Sequence, residues 1–176
     1  MRRKIVLPLL GLATVITLCG CSVKETIHRI SNYKSPDSMA DETLENIFDA
    51  MKEQDANAIV QLFSEKAIAE AEGLEKSAEE LCTFFQGDVQ SIDDRMGPSY
   101  RLSKDNKVQM IWPNYDIYTT DGVYRVEFCE YTEENEEPDM LGVWCFYIIK
   151  AEVDEDLWRP YSPTDDELPG IHIGVR

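Results

Sequence analysis

The spacing of apolar residues changes at Gly87, and this change limits the folds open to the chain. Before Gly87, apolar side chains recur every three or four residues, as on one face of a helix. After Gly87 they alternate with polar side chains, as in strands with one covered face. Helices followed by an antiparallel meander predict an α+β domain, with N-terminal helices packed on a curved antiparallel sheet.

Three helical segments are predicted before Gly87. Asp37 or Ser38 is expected to cap the first, and Asp55 the second, which restarts at Ser64. The third runs over residues 74–85. After Gly87, residues 95–107 are expected to form a loop, because they contain Gly, Pro, Ser and Asn. The predicted strands cover residues 89–94, 108–119, 123–132, 141–152 and 171–175.

The first 21 residues have the charge order of a bacterial export signal. Basic residues at positions 2–4 precede an apolar run that ends in Leu18-Cys19-Gly20-Cys21. A small residue before a cysteine resembles the lipobox of bacterial lipoproteins, in which the cysteine receives diacylglycerol and fatty acid and becomes the new N-terminus. The resemblance implies a signal peptide over residues 1–20 and a lipid on Cys21. It also implies a lipid-anchored protein on the extracytoplasmic face of the cell membrane.

The remaining chain is predicted to be a polar tether over residues 21–36 and one domain over residues 37–176. Without residues 1–20 the formal charge is −20, from 14 basic and 34 acidic residues. Such a charge disfavours nucleic acid, because few cations are available to displace phosphate counterions. It also disfavours docking on anionic lipid, so membrane attachment is expected to come from the acyl chains.

The chain lacks the motifs of the common cofactor and metal enzymes. It has no G-x-S-x-G, H-E-x-x-H, phosphate-loop or dinucleotide pattern. Its acidic runs lack the alternating oxygen-ligand spacing of a calcium loop. We therefore expect no cofactor and no metal site.

Asp121-Gly122 predicts a two-residue hairpin turn in which Thr120 opposes Val123. On the polar face of that hairpin, Asp116 would then oppose Glu127, and Tyr118 would oppose Arg125. Two interpretations remain open. If the face forms a cleft, the paired carboxylates would separate their pKa values and serve acid–base chemistry. Otherwise the four residues form a solvated charge cluster on the sheet surface.

Two further features of the predicted strands are candidates for a functional or stabilising role: a pair of cysteines and a tryptophan. If the last hairpin centres near Glu137, Cys129 lies opposite Cys145, and either a disulfide or two small buried thiols fits that position. Trp144 belongs to a group of strand aromatics that either line a pocket for an apolar or sugar ligand or fill the core.

Three segments carry a resemblance to a known family. They are Asp55-Ala-Asn-Ala-Ile-Val-Gln-Leu-Phe-Ser64, Phe84-Phe85-x-Gly87 and Met140-Leu-Gly-Val143. Together they resemble an uncharacterised lipoprotein family of gut Firmicutes, a domain of unknown function. The order of elements resembles the nuclear-transport-factor-2-like, or cystatin-like, α+β cone. The resemblance spans roughly residues 37–150 and implies no catalytic motif.

The leading hypothesis is a non-enzymatic, membrane-anchored module that binds an unidentified small ligand or protein. An alternative is a hydrolase or isomerase that uses the cone interior, with Asp116, Glu127 or His172 as acid or base and Arg125 as an anion clamp. A third is a structural envelope protein that forms a homodimer through its sheet.

Overall fold

A computed structural model describes four stretches of the chain, which are residues 34–104, 107–133, 138–152 and 168–174. The described residues from Ser35 onward form one compact unit, and the buried residues of its main core lie between Ala40 and Ile171. The predicted signal peptide, Cys21 and most of the tether lie outside the described residues.

Four helices form one layer: α1 (Pro36–Lys52), α2 (Ala56–Val60), α3 (Glu65–Glu70) and α4 (Leu74–Phe84). The N-cap of α1 is Ser35, whose hydroxyl accepts a hydrogen bond from the Ser38 N–H at 3.1 Å. The prediction of Asp37 or Ser38 was wrong because Pro36 suits the first helical position and moves the cap one residue before it. Among the described residues, none of the helices is long and apolar enough to cross a membrane.

Seven strands form one open, mostly antiparallel sheet, which confirms the predicted α+β class. The strands are β1 (Val89–Asp94), β2 (Ser99–Leu102), β3 (Val108–Trp112), β4 (Asn114–Thr119), β5 (Gly122–Tyr131), β6 (Gly142–Lys150) and β7 (Gly170–Ile173). Strand β5 pairs with β3 and β4 on one side and with β6 on the other. The last strand, β7, runs parallel to β6.

Strand β2 lies inside the segment that was predicted as a loop. It pairs with β3, and all four of its residues are exposed, so it shows no apolar alternation. Strands β3 and β4 were predicted as a single strand, and they do share one register against β5. Pro113 separates them because it has no N–H for the ladder.

The predicted pairing of the β4–β5 hairpin was wrong by two residues. Thr119 opposes Gly122, so the turn consists of Thr120 and Asp121. The Asp121 N–H donates to the Thr119 hydroxyl at 3.2 Å, and the Thr120 N–H donates to the Asp88 carbonyl at 3.0 Å. These bonds hold the turn without a central glycine. Because the shift is an even number, every side chain keeps its predicted face.

The helices cover one face of the sheet, where strand residues such as Ile117, Val126 and Phe128 join the main core. We call the opposite side the far face. Its buried residues form a second apolar cluster of Met110, Trp112, Cys129, Cys145, Tyr147 and Ile149.

Residues 84–88 lead from the end of α4 to β1, and we call them the exit segment. Their hydrogen bonds attach the helical layer to the sheet. The Tyr124 hydroxyl donates to the Phe84 carbonyl at 3.2 Å and accepts the Gln86 N–H at 3.0 Å. Gly87 has a φ of +85°, and a Cβ there would lie 2.8 Å from the Asp121 backbone nitrogen. Both observations require glycine. The exit segment therefore fixes where the chain enters β1.

Candidate functional site

A cleft of about 830 Å³ lies between α1, the exit segment and β1. It exists because the helices leave the sheet edge uncovered, so that all six residues of β1 are exposed. On β1, Val89, Ile92 and Asp94 stand opposite Thr119, Ile117 and Tyr115. Opposed residues share a face, so these β1 side chains point to the helix side and line the cleft instead of the core. We call this space the α1–β1 cleft.

Apolar side chains form part of the inner surface of the cleft. Leu44 and Met51 of α1 contribute buried aliphatic surface, while Ile92 on the opposite wall is 47% exposed. At one end, the Phe48 and Phe85 rings stack with centroids 5.0 Å apart. Phe85 also contacts the Tyr124 ring at 4.7 Å. A volume of this size with aromatic and aliphatic walls is typical of small-molecule sites.

Tyr115 and Asp41 form a polar pair in the cleft. The Tyr115 hydroxyl donates to Asp41 Oδ1 at 3.0 Å, and the tyrosine is 1% exposed. Burial raises the pKa of Tyr115 well above its ordinary value of 10.0, and the charge and hydrogen bond of Asp41 raise it further. At neutral pH, Tyr115 is therefore a hydrogen-bond donor and not a base.

Three carboxylates follow one another along the cleft side of α1. Asp41, Glu45 and Asp49 are spaced by four residues, which places them on one helix face. Like charges at that spacing destabilise a helix by about 0.2–0.5 kcal/mol per pair. Lys52 lies one turn after Asp49 and supplies a positive charge at the end of the row. The opposite wall adds Asp88 and Asp94.

Two of the sequence-predicted site residues form an ion pair on the far face. Asp116 lies directly opposite Arg125, so the predicted opposition of Asp116 and Glu127 does not occur. Arg125 Nε donates to Asp116 Oδ1 at 2.8 Å, and Arg95 Nε lies 3.5 Å from Asp116 Oδ2. The shifted register thus replaces a repulsive carboxylate pair with an attractive one.

The interpretation of this face as a solvated charge cluster was wrong for two members. Arg125 is 8% exposed and Glu127, which opposes Asn114, is 4% exposed. Tyr118 is 39% exposed at the same side of the sheet. His172 stacks on Tyr147, with ring centroids 4.4 Å apart. The described lining of the α1–β1 cleft contains none of these predicted site residues.

Trp144 occupies a bulge. Cys129 pairs with Cys145 and Glu130 with Val143, which leaves Trp144 as the extra residue of β6. It is partly buried and packs against both apolar clusters, away from the described cleft lining. Its predicted role in ligand binding stays a prediction.

The predicted opposition of Cys129 and Cys145 is confirmed. They are cross-strand partners, exposed by 2% and 1% respectively. The disulfide between them stays a prediction. Cys82 is also buried, and burial raises the pKa of its thiol, which keeps it protonated at neutral pH.

The cleft was missed because its lining comes from three separate parts of the chain, residues 41–54, residues 85–94 and Tyr115. One signal was present in the sequence: the acidic row at positions 41, 45 and 49 flanks the apolar stripe of a predicted helix. Ile92 gave no comparable signal, since it sits in the weakest predicted strand. Among the described residues, no group of three or more His, Cys, Asp or Glu side chains is arranged to hold a metal ion.

Replacing Tyr115 with Phe tests the polar pair. At pH 7 we expect Tyr115→Phe to lower the free energy of unfolding by about 1 kcal/mol, because a hydrogen bond to a partly solvated carboxylate is lost. Above about pH 10 the unfolded wild-type chain releases the phenol proton, while the folded protein retains it. The wild type therefore loses stability there relative to the variant. Urea unfolding at pH 7 and pH 10.5 measures the gap, and a gap that widened with pH would contradict this assignment.

Comparison with known proteins gives one family and no function. Residues 46–151, more than half of the chain, match the model of a domain of unknown function, DUF5104. A search of curated proteins found no significant match. The matched region contains the three segments on which the sequence resemblance was based, from Asp55 to Val143. The chain belongs to the DUF5104 family.

Proposed function

We propose that this protein is a lipid-anchored module on the extracytoplasmic face of the cell membrane, which binds a small ligand in the α1–β1 cleft without transforming it. The observation that carries the binding role is the cleft itself, an open space of about 830 Å³ lined by both apolar and polar side chains. The anchor is proposed from the lipobox-like sequence at Leu18–Cys21. We also propose that this family is one of Firmicutes lipoproteins and that its domain is a cystatin-like cone.

The positions of the sequence-predicted acid–base residues, together with the protonation of Tyr115, favour binding over catalysis. Tyr115 keeps its proton at neutral pH and donates a hydrogen bond to Asp41. Asp116, the acid–base candidate, lies on the far face with its carboxylate engaged by Arg125 and Arg95. An acid–base enzyme needs such groups to converge where a substrate can reach them.

The apolar surfaces favour a ligand-binding role over dimerisation through the sheet. A sheet-mediated dimer needs an exposed apolar face on each protomer. The aliphatic and sulfur-containing residues at the centre of the far face, such as Met110, Cys145 and Ile149, are at most 4% exposed. Val89 and Ile92, in contrast, are 41% and 47% exposed inside the cleft, where a ligand would cover them.

Replacing Cys21 tests the anchor. We expect Cys21→Ala to remove the diacylglycerol mass from the protein and to shift it out of the washed membrane fraction, since two acyl chains supply stable attachment. Cys19→Ala is the matched control, and it should keep both the lipid mass and the membrane fraction. Intact-protein mass spectrometry and fractionation give the two readouts. Retention of lipid mass by Cys21→Ala would rule out this cysteine as the lipid site.

Filling the cleft tests the binding role. The chain from Ser22 onward contains the whole described core and lacks the acylated cysteine, so it can be assayed without detergent. We expect the neutral dye Nile red to gain fluorescence with this chain, and Ile92→Trp to lower its affinity by about tenfold because the indole occupies the cleft.

Leu102→Trp is the control for that experiment. Leu102 is 45% exposed on β2, close to the exposure of Ile92, and it is not among the described residues that line the cleft. The control should bind Nile red like the wild type. An absence of dye binding, or equal losses in both variants, would contradict the cleft as the binding site.

A further inference from the structure

The charges of the α1–β1 cleft are strongly one-sided. Its described lining contains five carboxylates and one ammonium group. The ammonium belongs to Lys52. The carboxylates belong to Asp41, Glu45, Asp49, Asp88 and Asp94. A cleft lined by one sign of charge raises the local concentration of ligands of the opposite sign.

The folding of α1 does not account for this row of acids. Asp41, Glu45 and Asp49 repel one another along the helix face. Asp49 also lies in the last turn of α1, where the helix dipole disfavours negative charge. A positive group bound between these side chains would relieve the repulsion.

A ligand that suits the walls of the cleft must cover apolar surface as well as carry a charge. Phe48 and Phe85 present stacked aromatic rings at one end, and Ile92 leaves apolar surface exposed on the opposite wall. An inorganic cation would leave this apolar surface in contact with water. An organic cation covers it, and its positive charge is also attracted to aromatic faces.

We propose that the cleft selects a small organic cation, an amine or quaternary ammonium group carried on an apolar body. The apolar body lies between Phe85 and Ile92, and the cationic group lies beside Glu45 and Asp49 of the acidic row. The Tyr115 hydroxyl fixes one carboxylate, Asp41, in place at one end of the row. This inference rests on the proposed function, because it names the ligand class of the same cleft.

Three probes with the same indole body and different charges test the selection. They are tryptamine, which is cationic, tryptophol, which is neutral, and indole-3-propionate, which is anionic. By titration calorimetry on the chain from Ser22 onward, at low ionic strength, we expect tryptamine to bind about tenfold more tightly than tryptophol. Indole-3-propionate should bind most weakly. Added salt should reduce the preference for tryptamine.

Two double variants that remove the same charge test which residues cause the preference for the cation. Glu45→Gln with Asp49→Asn is expected to lower tryptamine affinity about tenfold and to leave tryptophol binding within about twofold. Glu75→Gln with Glu79→Gln removes the same charge, at the same spacing, from exposed positions of α4 outside the described cleft lining. This control should change tryptamine affinity by less than about twofold.

The outcomes distinguish a failure of the proposed ligand class from a failure of the proposed binding role. If tryptophol binds as tightly as tryptamine and Ile92→Trp weakens both, the cation preference is overturned while the cleft remains the binding site. If both double variants weaken tryptamine equally, the preference is a property of the whole acidic protein, and the inference also fails. If no indole probe binds while Nile red still does, the inference fails and the cleft remains the binding site. If Ile92→Trp changes the binding of neither the indole probes nor Nile red, the proposed function fails together with the inference.

Discussion

The contact between the exit segment and the β4–β5 turn determines where the α1–β1 cleft lies. Asp88 and Thr120 exchange hydrogen bonds at 3.0 Å, the Asp88 N–H to the threonine hydroxyl and the Thr120 N–H to the Asp88 carbonyl. Gly87 allows the two chain segments to approach closely enough for this exchange. As a result β1 starts beside the end of β4 and extends past the helical layer.

An edge strand beyond the helices has two consequences. Its helix-side residues, Val89 and Ile92, cannot join the core and instead form one wall of an open cleft. The opposite wall is the side of α1 that carries the acidic row, which water can still reach. The cleft thus combines exposed apolar surface with uncompensated negative charge, and both are costs in the unliganded protein. A cationic ligand with an apolar body would offset both costs.

The sequence predicted the layers of the fold better than the site. The change of periodicity at Gly87 located the end of the helices, and the strict alternation from Val108 onward assigned strand faces correctly. The hairpin register was wrong because Asp121-Gly122 suggested a glycine turn. The turn is held instead by Thr119 and by Asp88, which is 32 residues away from its hydrogen-bond partner Thr120. Short-range turn patterns do not contain such tertiary contacts.

The site was less predictable for the same reason. Asp116 and Arg125 could be placed on one face from their positions in two strong strands, and they do meet there. The cleft depends on how far the helices extend over the sheet, which no local pattern encodes. Tyr115 shows this: its alternation correctly predicted a helix-facing side chain, but its partner Asp41 lies 74 residues earlier. Sequence reasoning therefore placed the candidate site on the far face, the wrong side of the sheet for the cleft.

Mapping a bound probe directly on the protein tests the central claim, that ligands enter the α1–β1 cleft. Amide chemical shifts of the chain from Ser22 onward would be followed by nuclear magnetic resonance while tryptamine is added. The account predicts that the largest shifts fall on α1, on residues 85–88 and on β1. Shifts that concentrate on the far face, around Tyr147 and His172, would contradict it, as would a spectrum that tryptamine leaves unchanged.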